Sequence, residues 1–301
     1  MNLLAVLPIL ITAQADVYRL DLGPAHLRGK TITVSPNTLH DLRSGSSATL
    51  RDIAAAADGA SFVFVGESHD KAEHHRFQAD VIRALVERGR SVIVGMEMFP
   101  HTAQTSLDLW SLGRLSEEQF IERSEWKTVW GFDYSLYKPI FDVVREHKLR
   151  LTGLNVPREL VRKVSRGGAA ALTPEDQADM PDLDTTNAEH RALFNAMIGG
   201  AGGHGMGDNV YAGQVLWDTA MAHYALRYWS RTPRTKDTVM VIIAGSGHMM
   251  YGLGINYRLS LRTPERILNV LCLDAPPSGT TVARSIADFS FASSAQSTEG
   301  P

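Results

Sequence analysis

The chain has 301 residues, 44% hydrophobic and 21% charged, which suffices for one large globular domain or two small ones. A net charge of −3 and a pI of about 6.4 offer no basic surface for nucleic acid or an acidic membrane. The single cysteine, Cys272, excludes an intrachain disulfide and a cysteine-rich zinc site, and its place in the apolar run Ile267 to Leu273 reads as a buried core thiol.

Residues 1–15, M-N-L-L-A-V-L-P-I-L-I-T-A-Q-A, read as a signal peptide. The apolar segment is too short to span a bilayer and ends in Ala13-Gln14-Ala15, a small-x-small cleavage pattern. No other segment approaches the roughly 18 uncharged apolar residues of a membrane span. The expected product is therefore exported, periplasmic or secreted, without a transmembrane anchor.

Residues 16–50 read as an irregular capping or edge segment, with strands at Val17–Leu22 and Thr31–Val34 and a short helix at Leu39–Ser44. A helix over Thr49–Ala57 leads into S-F-V-F-V-G-E-S-H-D, Ser61 to Asp70. Phe62 to Val65 is an uncharged β-branched and aromatic run, as in a strand buried on both faces. Asp70, with Glu73 three residues on, is expected to cap a helix over Lys71–Arg88, whose apolar positions Phe77, Val81, Ile82, Leu85 and Val86 keep helical spacing.

Ser91–Val94 is the second buried strand and ends in G-M-E-M-F-P. Helices are expected over His101–Trp110, Ser116–Glu125 and Tyr134–Lys148, around the aromatic segment Trp126 to Tyr137. Arg150–Leu154 is the third strand, and N-V-P-R opens another helix with proline near its first turn. After a linker-like stretch, Thr186–Ile198 and Val210–Trp229 read as helices around the glycine-rich Gly199–Asn209, read as a mobile rim. Thr238–Ala244 is the fourth strand, followed by G-S-G-H-M-M-Y, and Ile267–Leu273 the fifth. Residues 276–301 read as a disordered tail, rich in Ser, Ala, Pro and Gly.

Strands alternating with helices predict an α/β fold over residues 51–275: a mostly parallel central sheet with helices on both faces and a helical cap over its carboxyl edge. Ligands collect beyond the carboxyl ends of such strands. Three strands deliver Glu67 and His69, Glu97, and His248 to that edge. Two carboxylates and two imidazoles there could ligate a divalent metal, form a metal-free acid–base pair, or floor a larger ligand. Asp218, on an apolar helical face between Val215 and Ala222, needs a donor if buried, and a strand-end histidine is a natural one. His74, His75 and His204 read as solvated.

The ordered set G-E-S-H-D, G-M-E-M-F, N-V-P-R, Q-V-L-W-D-T-A-M-A and G-S-G-H, from Ser61 to Asp274, resembles the ChaN-type haem-binding uptake proteins. Their superfamily also holds the Tiki/TraB proteins and is related to the erythromycin esterases. The resemblance implies a haem-binding protein of iron uptake, a homodimer with tyrosine-ligated ferric haem at its interface and histidine and basic groups toward the propionates. Tyr251 is the first-choice ligand, beside Met249 and Met250, with Tyr134, Tyr137 and Tyr211 as rivals. Arg158, Lys138 and His248 are the propionate candidates. The alternative is an esterase- or peptidase-like hydrolase, metal-dependent through Glu67, His69, Glu97 and His248 or using these residues with Asp218 as acid–base machinery. Lipoprotein members of the family carry a cysteine just after the signal. None stands before Cys272, so a form without a lipid anchor is expected.

Overall fold

The computed structural model describes residues 17–178, 180–198 and 207–295. The expected signal peptide, His204 and most of the expected glycine-rich rim lie outside them. The strands are β1 (Thr31–Val34), β2 (Thr38–Asp41), β3 (Ser46–Ser47), β4 (Phe62–Glu67), β5 (Ser91–Pro100), β6 (Arg150–Asn155), β7 (Thr238–Gly245), β8 (Ile267–Ala275), β9 (Thr280–Ala283) and β10 (Phe289–Ser294). The helices are α1 (Leu50–Ala56), α2 (Ala72–Glu87), α3 (Gln104–Ser111), α4 (Glu117–Arg123), α5 (Trp126–Val129), α6 (Tyr134–Glu146), α7 (Arg158–Gly167), α8 (Pro174–Gln177), α9 (Ala188–Ile198), α10 (Asp208–Arg231) and α11 (Ile255–Ser260).

Eight strands form the central sheet in the order β3-β2-β10-β8-β4-β7-β5-β6, with β1 and β9 in a separate antiparallel pair. The six strands from β10 to β6 run parallel, and β2 and β3 close one edge antiparallel. Successive residues of β4 face opposite sides, as the pleat requires. Val63 and Val65 join the core of Phe77, Val81, Ile82 and Leu85 from α2. Phe62 and Phe64 join that of Met221, Ala222, Ala225 and Trp229 from α10. Helices thus cover both faces, and β4 is buried along its whole length, as its uncharged run predicts.

The ends of the chain depart from expectation. Residues 276–295 are not a disordered tail: they contain β9 and β10, and β10 pairs parallel with β8 from Phe289↔Val270 to Ser294↔Ala275. The small residues that suggest low complexity are what pack tightly there, with Ser290 and Ser293 fully buried and Phe291 stacked on Phe77 at 4.4 Å. The helix expected at Leu39–Ser44 is instead β2, because β10 supplies a partner for Thr38 to Asp41. This is pairing overriding local pattern. Val17–Leu22 forms no strand. Asp70 does not cap α2: Lys71 is the cap residue, and no side chain bonds the free amides.

Candidate functional site

The parallel register brings Glu67 level with Gly245, the last residue of β7, so the ends of β4 and β7 share one edge. Glu97, one residue beyond the last β5–β7 pair, accepts the Gly245 amide on Oε2 at 2.7 Å. Gly245 has no side chain to hold these groups apart. A Cβ there would lie 3.0 Å from Cε1 of His69 and 3.7 Å from Glu97 Oε2. The four residues from three strand ends therefore meet, as the alternating pattern predicts.

His248 sits between two carboxylates. Its Nδ1 donates to Asp218 Oδ1 at 2.6 Å, and its Nε2 lies 3.3 Å from Glu97 Oε1. Gln214 Nε2 approaches the same Asp218 oxygen at 3.5 Å. Burial opposes charge on His248, but Glu97 and Asp218 outweigh it and hold the imidazolium up to about 10. The same pairing overcomes the desolvation of Glu97 and depresses its carboxyl to about 2. Asp218 is likewise lowered against its burial by His190 and His248. It is fully buried, the acid in need of a donor that the α10 pattern predicts.

Two members of this cluster have no clear signal in the sequence. His190 Nε2 lies 3.0 Å from Asp218 Oδ2, and Arg258 lies 3.6 Å from the same oxygen. The one hint for His190 is that it shares a buried helical face with Leu193 and Phe194.

His69 is the accessible member, with 31% of its side chain exposed. Its Nδ1 donates to Glu67 Oε1 at 2.5 Å. Desolvation opposes its charge, but Glu67 and then Glu97 raise it to about 9. Its ring packs edge-on to Trp130 at 4.7 Å and against Phe132 at 5.3 Å. Both strand-end imidazoles therefore carry their protons at neutral pH. They suit holding an anion or giving up a proton better than accepting one. Glu67 Oε2 is buried without a hydrogen-bond partner among the described residues. Among those residues, no three His, Cys, Asp or Glu side chains are grouped to hold a metal ion.

His74 and His75 are not solvated but fully buried. His74 Nδ1 accepts the Ser68 amide at 3.0 Å and its Nε2 lies 3.0 Å from Ser293 Oγ, while His75 Nε2 lies 3.2 Å from the His69 carbonyl. Both brace the turn that carries His69.

Beside this edge lies a cleft of about 620 Å³ between α4, α5 and α6. Trp126, Phe132 and Tyr134 line it, with Lys127, Lys138 and Glu117. Phe132 belongs to both the cleft and the surroundings of His69. Lys138 is bound to Glu117 at 2.7 Å and Asp142 at 2.9 Å, so its charge is already shared. Arg158, exposed at the start of α7, donates to the Trp130 carbonyl at 2.9 Å.

The four candidate tyrosines differ in what their hydroxyls do. Tyr251 donates to the Val17 carbonyl at 2.7 Å and accepts the Leu20 amide at 2.9 Å. Tyr211 bonds His190 at 2.9 Å, and Tyr137 reaches the His69 carbonyl at 3.4 Å. Tyr134 alone of the four has a buried hydroxyl with no partner among the described residues, and it alone lines the cleft. Tyr251 and Met250 sit in the core beside Val17 and Tyr18, away from the cleft.

The sequence profile of the family described as haem-binding uptake, Tiki superfamily, ChaN matches residues 53–259. This chain belongs to that family. Among solved structures it is similar to one described as cofacial heme binding to ChaN of Campylobacter jejuni. The two are 19% identical with a TM-score of 0.63, over 84% of this chain and 95% of that one. It also matches a mutant of the erythromycin esterase EreC in its open conformation at 15% identity and TM-score 0.47, over 80% of this chain and 77% of that one. The type III effector HopBA1 matches at 13% and 0.46, over 82% and 94%. A comparison with curated proteins finds no match. The likeness to ChaN of C. jejuni shows the shared fold, and family membership supports haem binding in general terms.

The lining of this cleft has chemistry that would suit a haem: aromatic faces for an apolar ring, lysines for carboxylates, and Tyr134, whose hydroxyl has no partner among the described residues. Among the described residues, no helix is long and apolar enough to cross a membrane.

Proposed function

We propose that this chain is an exported haem-handling protein that binds ferric haem in the cleft between α4, α5 and α6, with the Tyr134 phenol as iron ligand. The carrying observation is that Tyr134 lines the cleft and its buried hydroxyl has no partner among the described residues. A buried polar atom left unpaired is costly unless something pairs with it. Burial, with Glu117 and Asp142, holds this phenol protonated well above the ordinary range, so a ligand that takes it as phenolate must displace the proton. Ferric iron bound to a phenolate is held in a stored state. Lys127 at the cleft and the imidazolium of His69, reached across Phe132, are the cations for the propionates. Lys138 and Arg158 contribute less, because neighbours already hold them. A second copy of the chain is proposed to close the open side, in keeping with the cofacial arrangement described for ChaN of C. jejuni.

A haemin titration of the chain lacking residues 1–15, followed by absorbance and sedimentation, tests this. Saturable binding with a phenolate-type spectrum is expected, together with a shift from monomer to dimer. Tyr134→Phe should lose that spectrum and weaken binding by at least the roughly 10–100-fold that removing an outer-shell partner of a metal ligand costs. Tyr251→Phe should keep it. The reverse pattern would move the ligand to Tyr251, and absence of saturable binding would sink the haem reading.

A further inference from the structure

Residues 17–30 run over the molecule as a strap, fastened at three places. The first is Tyr251, whose hydroxyl holds both the Val17 carbonyl and the Leu20 amide. Tyr251 stands at φ 58, ψ 10, in the left-handed region that a bulky residue rarely occupies. The turn that follows His248 is thus held in a strained shape whose side chain is spent on the strap. The second is Glu189 on α9, which accepts the Gly23 amide at 3.3 Å and pairs with Arg28. The third is β9 and the turn after it, where the Ala283 amide donates to the Tyr18 carbonyl and the Arg284 amide to that of Lys30.

Helix α9 passes these contacts on. Glu189 holds the strap, while its neighbour His190 holds Asp218, the carboxylate that anchors His248. At the other end of α9, Met197 lies against Gly247. A Cβ on Gly247 would stand 2.4 Å from the Met197 methyl, so a larger residue there would have to turn the Met197 side chain aside. The strap therefore reaches the turn from Gly245 to Tyr251 by two routes, directly through Tyr251 and through α9.

We propose that residues 17–30 act as a clamp on the strand-edge site. Seated, the strap fixes α9 over the Gly245–His248 turn and closes the Asp218–His248–Glu97 cluster. Released, it lets the Tyr251 turn relax and α9 lift, exposing His248 and Glu97. Such coupling is reciprocal: what loosens the strap loosens the cluster, and the reverse. The device stands whether or not the ligand is haem.

Hydrogen exchange of the ligand-free chain, read by mass spectrometry and by the NMR signal of the His248 Nδ1 proton, tests it. Glu189→Ala, Tyr251→Phe and the milder Arg28→Ala, at an exposed ion pair, each alter the strap without touching Asp218. Each should speed exchange in the strap and, by roughly tenfold, in α9, while α2 stays protected. The His248 proton signal should broaden or shift. In the reverse direction, His190→Ala should speed exchange at the Leu20 amide. Faster strap exchange with α9 and the His248 signal unchanged in Arg28→Ala would overturn the clamp, as would an unaffected Leu20 amide in His190→Ala.

Discussion

Asp218→Leu is expected to destabilise the chain by about 3–5 kcal/mol, the cost of removing one member of a buried ion-pair group. Among the described residues, Asp218 is the carboxylate paired with His190 and Arg258 and one of two paired with His248. Without it, these basic groups face one another in a place largely shut off from water. Leucine restores the volume but not the charge, so the loss is electrostatic rather than a cavity effect. At about 2–4 °C per kcal/mol for a chain of this size, Tm should fall by roughly 10 °C. Asp218→Asn should cost less, since its side-chain oxygen can still accept from His248. Lys138→Ala is the control: it breaks two exposed ion pairs and should change stability by less than about 1 kcal/mol. Denaturant unfolding of the three variants measures this, and an Asp218→Leu loss within 1 kcal/mol of the Lys138→Ala value would refute the account.

The difference between what sequence pattern reveals and what it hides follows from how local each signal is. β4 and β7 are legible because strands buried on both faces must be uncharged throughout, and Glu67 and His248 stand out because they end such runs. Asp218 is legible because an acid interrupts a helical stripe. β10 is not, because its burial depends on partners in β2 and β8, and its small residues carry no hydrophobic signature of their own. His190 and Arg258 are hidden for a similar reason. Their partner is Asp218, on another helix, and a lone histidine or arginine in an amphipathic stretch looks the same whether it faces water or a buried carboxylate. Tyr251 shows the converse. Its place after G-S-G-H suggests a ligand group, but the strap that occupies its hydroxyl is distant in sequence, with Leu20 and Tyr251 231 positions apart.

The same cluster should set the pH profile of stability. His248 and His69 are raised in the folded chain to about 10 and about 9, above their ordinary 6.5. A group raised on folding contributes stability that is complete below its unfolded value and is lost as pH climbs through the folded one. The histidine contribution is therefore whole below pH 6.5 and fades from there through pH 9 to 10. Glu97 is depressed to about 2 from 4.5, so its contribution is whole above pH 4.5 and fades as pH falls toward 2. Together they place the cluster's greatest support between pH 4.5 and 6.5. Between pH 6.5 and 9 His69 and His248 keep up to two protons that the unfolded chain releases, and Tm should fall by roughly 10 °C across that range; above pH 9 the buried Cys272 thiol, also raised, adds to the loss. The buried phenols of Tyr134 and Tyr251 are also raised, but from 10.0, so their loss begins only above this window. His248→Gln is less stable at every pH but should lose much of the alkaline slope, because it no longer holds a proton to release. Thermal unfolding of both proteins from pH 5 to 9.5 measures the difference. Equal slopes in the two would mean that His248 is not the imidazolium its two carboxylate neighbours require.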